Sequence, residues 1–262
     1  MHSIKLQHIL ISPNSQLQII GERAFAFTQI RSISIPAHVT HIYNGAFSKC
    51  SCLKHVEIPI NSKLQKIEIN AFSETEIESI FIPESLIDLE EGWCSVAPKL
   101  TTIEIDAKNP RYSYIENQFL VGKSDNKSED YDSLLFARHD ITKVKIPPFI
   151  KTIQKYVFSY NQQLQQVEIP LNSKLQTIDK EAFSYTSIER FSIPVHFTKI
   201  GEGAFAFCEK LRRIEIPQNS ELQIIDAFAF FGSALESILI PAHVTCITFS
   251  LLWVINYFFC LG

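Results

Sequence analysis

The sequence predicts a repeat solenoid, a coil of short β-strands stacked rung upon rung, and three observations predict it. Eight of the twelve prolines follow an isoleucine, and they recur at a nearly constant interval. A phenylalanine recurs in register with them. Apolar and polar residues alternate just before each proline, with the period of a strand. A repeat between about 20 and 50 residues long marks an array whose units bury their apolar faces only against each other.

Taken in order, the Ile-Pro column holds Pro36, Pro59, Pro83, Pro147, Pro170, Pro194, Pro217 and Pro241, with Ser12 and Asp106 in the same column. The steps run 24, 23, 24, 23, 41, 23, 24, 23 and 24 residues, so two unit types alternate. The step of 41 carries 18 residues more than a step of 23. In Leu53-x-x-Val56-x-Ile58-Pro59 the apolar residues keep strand period. Proline then ends the strand, because it has no N–H for the ladder. The longer unit opens with Asn-Ser (14–15, 61–62, 172–173, 219–220), followed by an apolar pair such as Leu64 and Ile67. The shorter unit reads Ile-Pro-Ala-His-Val-Thr at 35–40, repeated letter for letter at 240–245. Val39 and Ile42, or Leu64 and Ile67, are spaced to close the far side of the coil. Phe25, Phe47, Phe72, Phe158, Phe183, Phe205 and Phe230 share the last column and are expected to stack through its centre.

The pattern L-x-x-I-x-I-P-x-x-V-T-x-I-x-x-x-A-F-x-x-C resembles the BspA-like class of leucine-rich repeats, the surface-antigen type, over roughly residues 9–247. The resemblance implies a leucine-rich-repeat solenoid, rich in β-strand, with short turns or helical segments. It also implies a surface antigen or adhesin that binds protein or glycan partners. Three places depart from the pattern: Trp93-Cys94 in place of Ala-Phe, an irregular unit with an insertion over 107–147, and the tail from residue 248. The domain reading is therefore one solenoid over 1–247 and an apolar tail over 248–262.

Within the insertion, residues 112–121 and 133–138 are two β-rich runs around the polar stretch GKSDNKSEDYD. The expectation is a β-hairpin protruding from the solenoid edge, either covering a rung junction or contacting a partner. Its loop holds an N-glycosylation sequon at Asn126, which matters only on a secretory route.

Composition narrows the function. A formal charge of −4 and a pI near 6.1 speak against a nucleic-acid binder, which usually carries a basic patch. Gly122-Lys123-Ser124 looks like the end of a phosphate loop, yet position 117 is asparagine where that motif needs glycine. No catalytic constellation, cofactor motif or metal site is read. His38, His196 and His243 share a column, but in rungs that are not neighbours, too far apart for one ion. The six cysteines show no C-x-x-C, and Cys50 and Cys208 share a small-residue column with Thr28, Thr75, Thr186 and Ser233. Free thiols are expected.

What remains is the outward face of the strand before each proline. One column reads Ser34, Glu57, Phe81, Glu104, Lys145, Glu168, Ser192, Glu215, Leu239; the other includes His55, Lys143, Gln166, Arg190 and Arg213. The candidate partner-binding residues are Glu57, Phe81, Glu104, Lys145, Glu168, Arg190, Arg213, Glu215 and Leu239, with Phe81 and Leu239 as exposed apolar anchors. The alternative is a solvated face with no partner.

The ends leave two readings open. The start shows no secretory signal pattern. Residues 244–262 form an uncharged apolar run, either a divergent last rung or a membrane span of borderline length. A non-catalytic interaction module at the cell surface is the leading function. An intracellular scaffold, tail-anchored through 244–262, is the alternative.

Overall fold

A computed structural model describes residues 5–12, 14–124 and 128–248. Up to Asp106 the strands alternate between two parallel sheets. β1 (Ile19–Ile20), β3 (His41–Ile42), β5 (Lys66–Ile67) and β7 (Asp88–Leu89) form the narrow sheet. β2 (Ser32–Ser34), β4 (His55–Glu57), β6 (Ser79–Ile82) and β8 (Thr102–Ile105) form the face sheet. The insertion supplies β9 (Tyr112–Ile115), β10 (Phe119–Gly122) and β11 (Ser133–Ala137). Beyond it the face strands are β12 (Lys143–Lys145), β14 (Gln166–Glu168), β16 (Arg190–Ser192) and β18 (Arg213–Glu215). The narrow strands are β13 (Thr152–Ile153), β15 (Thr177–Ile178), β17 (Lys199–Ile200), β19 (Ile224–Ile225) and β20 (Cys246–Ile247).

Turn chemistry explains why the chain bends where it does. Each of the eight Ile-Pro carbonyls accepts the N–H three residues on, as Pro36 does from Val39 and Pro170 from Ser173. Where Asp106 stands instead, its N–H donates to the Ile82 carbonyl at 2.9 Å, a bond proline lacks. In the Asn-Ser corners the serine hydroxyl accepts the N–H of the leucine two residues on, at Ser15, Ser62, Ser173 and Ser220.

The third side is built of turns, and no helix occurs among the described residues. Two residues before and two after each core phenylalanine the backbone is left-handed, as at Gly45 (φ 62°) and Lys49 (φ 61°) around Phe47. Alternate N–H groups donate to the next rung: Gly45, Phe47 and Lys49 to Ile69, Ala71 and Ser73. The intervening N–H groups bond back three residues. Left-handed geometry costs a non-glycine residue about 1–2 kcal/mol, and the inter-rung bonds offset it.

The phenylalanines stack as expected. Ring centroids lie 5.4 Å apart for Phe25–Phe47, 5.2 Å for Phe47–Phe72, 4.9 Å for Phe158–Phe183 and 5.4 Å for Phe183–Phe205. Trp93 takes the alanine position and Cys94 the phenylalanine position, since Gly92 is the left-handed residue just before them. The indole then meets Phe72 edge to face at 6.3 Å. The small–large pair is exchanged, and its joint volume still fills the rung.

The insertion corrects the protruding hairpin. β10 does pair antiparallel with β11, but β9 adds to its other edge and β11 joins the narrow sheet beside β13. Phe119, Leu120, Val121, Leu134, Phe136 and Ala137 are all buried. The physical reason is that these strands are apolar on both faces, which demands cover on both sides. Tyr112, Leu120 and Phe136 pack into the core of the first rungs, and Phe119, Val121, Leu134 and Ala137 into the core of the later ones. The meander therefore cements two stacks. At the junction the Leu89 N–H donates to the Tyr112 hydroxyl at 2.8 Å. The Asn109 amide donates to the carbonyls of Pro83 (2.7 Å) and Leu86 (2.9 Å), and Lys155 pairs with Glu91 at 2.8 Å.

The sequon at Asn126 and the tail from residue 249 lie outside the described residues. Among the described residues no helix is long and apolar enough to cross a membrane.

Two predictions follow from the core. Phe183 stacks on both Phe158 and Phe205, so Phe183→Ala should cost about 3–5 kcal/mol in denaturant unfolding. His139 is buried beside Phe136, and burial holds its pKa down to about 4. The unfolded chain protonates near 6.5, so stability should fall as pH drops from about 6.5 towards 4, by up to about 1.4 kcal/mol per unit. Replacing His139 with phenylalanine should flatten that slope in pH-resolved melting curves.

Candidate functional site

Strand alternation points the middle residue of each face strand inward and its neighbours outward, giving the burial pattern exposed–buried–exposed in β2, β4, β12, β16 and β18. Register then sets the outward residues in columns: Ser34 beside Glu57, Phe81 beside Glu104, Lys145 beside Glu168, Arg190 beside Arg213, and Ser192 beside Glu215. The insertion separates Glu57, Phe81 and Glu104 from the rest. Phe81 is half-buried and packs against the core of the first rungs, while Leu239 is 72% exposed.

The face sheet is not continuous, and its breaks follow the spacing of the prolines. Strands one 23-residue step apart pair throughout: β2 with β4, β6 with β8, β12 with β14, and β16 with β18. Strands one 24-residue step apart do not. β4 and β6 keep a single pairing, His55 with Ser79, and β14 and β16 have none. Residues 237–239 form no strand beside β18. The narrow sheet pairs across both kinds of step in each stack, so only the face opens. The corners before the face strands alternate with the steps. Thr186-x-Ile188 and Thr75-x-Ile77 are one residue shorter than Cys208-x-x-Leu211 and Cys50-x-x-Leu53.

Two clefts result. The first, about 620 Å³, lies between β14 and β16 and is lined by Lys143, Lys145, Gln166, Val167, Glu168 and Arg190. The second, about 690 Å³, lies beyond β18 and is lined by Arg213, Ile214, Ile216, Ile238 and Leu239. Opening the sheet leaves Val167 and Ile169 only partly buried, whereas Val144 and Ile146 in the rung before are 5% and 0% exposed. Lys145 and Glu168 pair at 2.7 Å, Arg213 and Glu215 at 3.2 Å, and the Ser192 hydroxyl donates to Glu215 at 2.8 Å. Among the described residues Lys143 and Arg190 have no ion pair, and with Glu168 and Glu189 also lining the first cleft its three cations exceed its two carboxylates by one, on a chain of net charge −4.

The clefts were missed at the sequence level, although their signal was present in the alternation of 23 and 24. Lys143 and Gln166 matter for the same reason.

Among the described residues no group of three His, Cys, Asp or Glu side chains is placed to hold a metal. The buried cysteines serve the turns: the Cys50 thiol donates to the Phe25 carbonyl and Cys208 to Phe183, beside Thr28 and Thr186. Burial pushes the Cys208 thiol up to about 11, which keeps it neutral and poorly nucleophilic.

A three-sided β-solenoid with an exposed strand face defines a repeat protein-interaction module. The chain belongs to the BspA-type leucine-rich-repeat family, whose model matches in six copies over residues 1–118 and 130–253. No curated protein sequence matches it. Among solved structures it is similar to the pneumococcal vaccine antigen PcpA, with a TM-score of 0.71 at 20% identity over 93% of this chain and 68% of that one. A leucine-rich repeat protein from Eubacterium ventriosum gives 0.62 at 20% identity over 88% and 78% of the two chains. A leucine-rich cell surface protein from Faecalibacterium prausnitzii gives 0.59 at 24% identity over 84% and 68%.

Exposed ion pairs on such a face contribute little to folding. Both Lys145 and Glu168 have side chains 63% exposed. Lys145→Ala and Glu168→Ala should each shift unfolding stability by less than about 1 kcal/mol, measured by urea titration.

Proposed function

We propose that the chain is a non-catalytic module displayed at the cell surface that holds a protein or glycan partner on its face sheet. The observation that carries this reading is that, within each stack of described residues, the face alone of the three sides leaves its strand ladder open, with charged and apolar side chains around the gaps. A fully paired sheet has no main-chain groups left for a ligand; an interrupted one does. Membership of the BspA-type family supports the binding role, and the printed descriptions of a vaccine antigen and a cell surface protein among its structural neighbours support the location.

The full chain, immobilised and exposed to intact cells, extracellular matrix proteins and a glycan array, should capture at least one of them. A variant with Glu57→Lys, Glu104→Lys and Arg213→Glu should lose most of that capture while melting at the same temperature. Capture of nothing above background, or capture untouched by the triple change, would overturn the proposal.

A further inference from the structure

The two clefts lie on one face and are separated by the paired strands β16 and β18. Their centres are thus two rungs apart, about 9.6 Å at the usual strand spacing. They differ in character. The first presents Lys143 and Arg190, which have no ion pair among the described residues, on either side of Gln166, above a partly buried Val167. The second presents the aliphatic Ile216, Ile238 and exposed Leu239 beside Arg212, Arg213 and Glu215.

We propose that together they bind an extended acidic segment of a protein partner in polyproline-type conformation, with a carboxylate in the first cleft and an apolar side chain over the second. This deepens the binding role proposed above and rests on it. The spacing selects the conformation. A polyproline helix has three residues per turn and rises about 3.1 Å per residue, so residues three apart point the same way about 9.3 Å apart. A β-strand laid along the same line turns residues three apart to opposite sides. A strand does not insert between β14 and β16 either, because β15 and β17 stay hydrogen-bonded on the adjoining side and hold the rungs one strand-width apart. The polyproline backbone makes no internal hydrogen bonds, so its carbonyls are free to accept from the Gln166 amide and the Arg213 guanidinium. Charge favours the acidic residue, since among the described residues Lys143 and Arg190 have no ion pair and the cleft's three cations outnumber Glu168 and Glu189. The aliphatic side chains of the second cleft, Ile216, Ile238 and Leu239, favour a protein segment with a branched apolar side chain over a sulfated or uronic glycan.

The test is fluorescence anisotropy of the full chain with a labelled peptide of two copies of Glu-Pro-Pro-Leu-Pro-Pro. Its control has the same composition with glutamate and leucine adjacent. The spaced peptide should bind at least about tenfold more tightly than the control and weaken with added salt. Arg190→Glu with Lys143→Glu should cost at least about tenfold, and Leu239→Ser a smaller factor, whereas Arg31→Glu on the first rungs should change nothing. Circular dichroism melts check that every variant is folded. Equal binding of the two peptides, indifference to Arg190→Glu with Lys143→Glu, or tighter binding of heparin than of the spaced peptide would each overturn the proposal. A chain that captures a surface partner in the preceding experiment yet ignores the spaced peptide sinks the cleft proposal and leaves the binding role standing.

Discussion

The structure depends on the main-chain ladder of the turn side, where every second N–H around the core phenylalanine donates to the next rung. Phe25, Phe47 and Phe183 donate to the carbonyls of Ala46, Ala71 and Ala204, each at 2.8 Å. That ladder fixes the axial distance between rungs, and the stacked rings and paired narrow strands fit the distance it sets. A ring stack at 4.9–5.6 Å is compatible with it, so one large planar side chain per rung fills the centre without strain. The left-handed residues on either side are the cost of the arrangement, borne even by Tyr160, Tyr185 and Phe207. Those three rings recover part of it by stacking on one another at 4.4 and 4.6 Å outside the core.

With two sides pinned, the third absorbs every irregularity. One residue more or less in a corner cannot alter the turn ladder without breaking its bonds, so the mismatch passes to the face strands. The misfit therefore falls on the face sheet. The meander between Asp106 and Lys143 obeys the same logic at a larger scale. It interrupts the stack, yet its two-sided apolar strands rebuild a core on each side, and Tyr112 and Asn109 satisfy groups the missing rung leaves open.

Much of this was legible in the residues. The Ile-Pro column ends strands, the phenylalanine column stacks, and the Asn-Ser corners form one turn, all because each depends on local chemistry repeated many times. The two apolar runs of the insertion predict a hairpin, which it contains, but not the hairpin's placement. Phe119-Leu120-Val121 says that both faces need cover and does not say what covers them. The spacing places the face residues on one side of a strand, which holds except at Leu239, whose segment forms no strand, while Phe81 is half-buried because its neighbours in three dimensions, not in sequence, decide its exposure. The clefts arise from pairing between rungs, which no single unit encodes.

The alternation of corners also sets how such a chain can grow or shrink. Because a 23-residue step always follows a 24-residue one, the unit that repeats is a pair of rungs, 23 + 24 = 47 residues. The step of 41 falls where the alternation calls for 24, so the insertion occupies a position where the face would otherwise open. Loss or duplication of a single rung would bring two like corners together and shift every later cleft out of phase with its side chains. Loss or duplication of a pair would leave all three ladders in register and change only how many clefts the face displays. The length of the array is thus free to vary, but its parity is not.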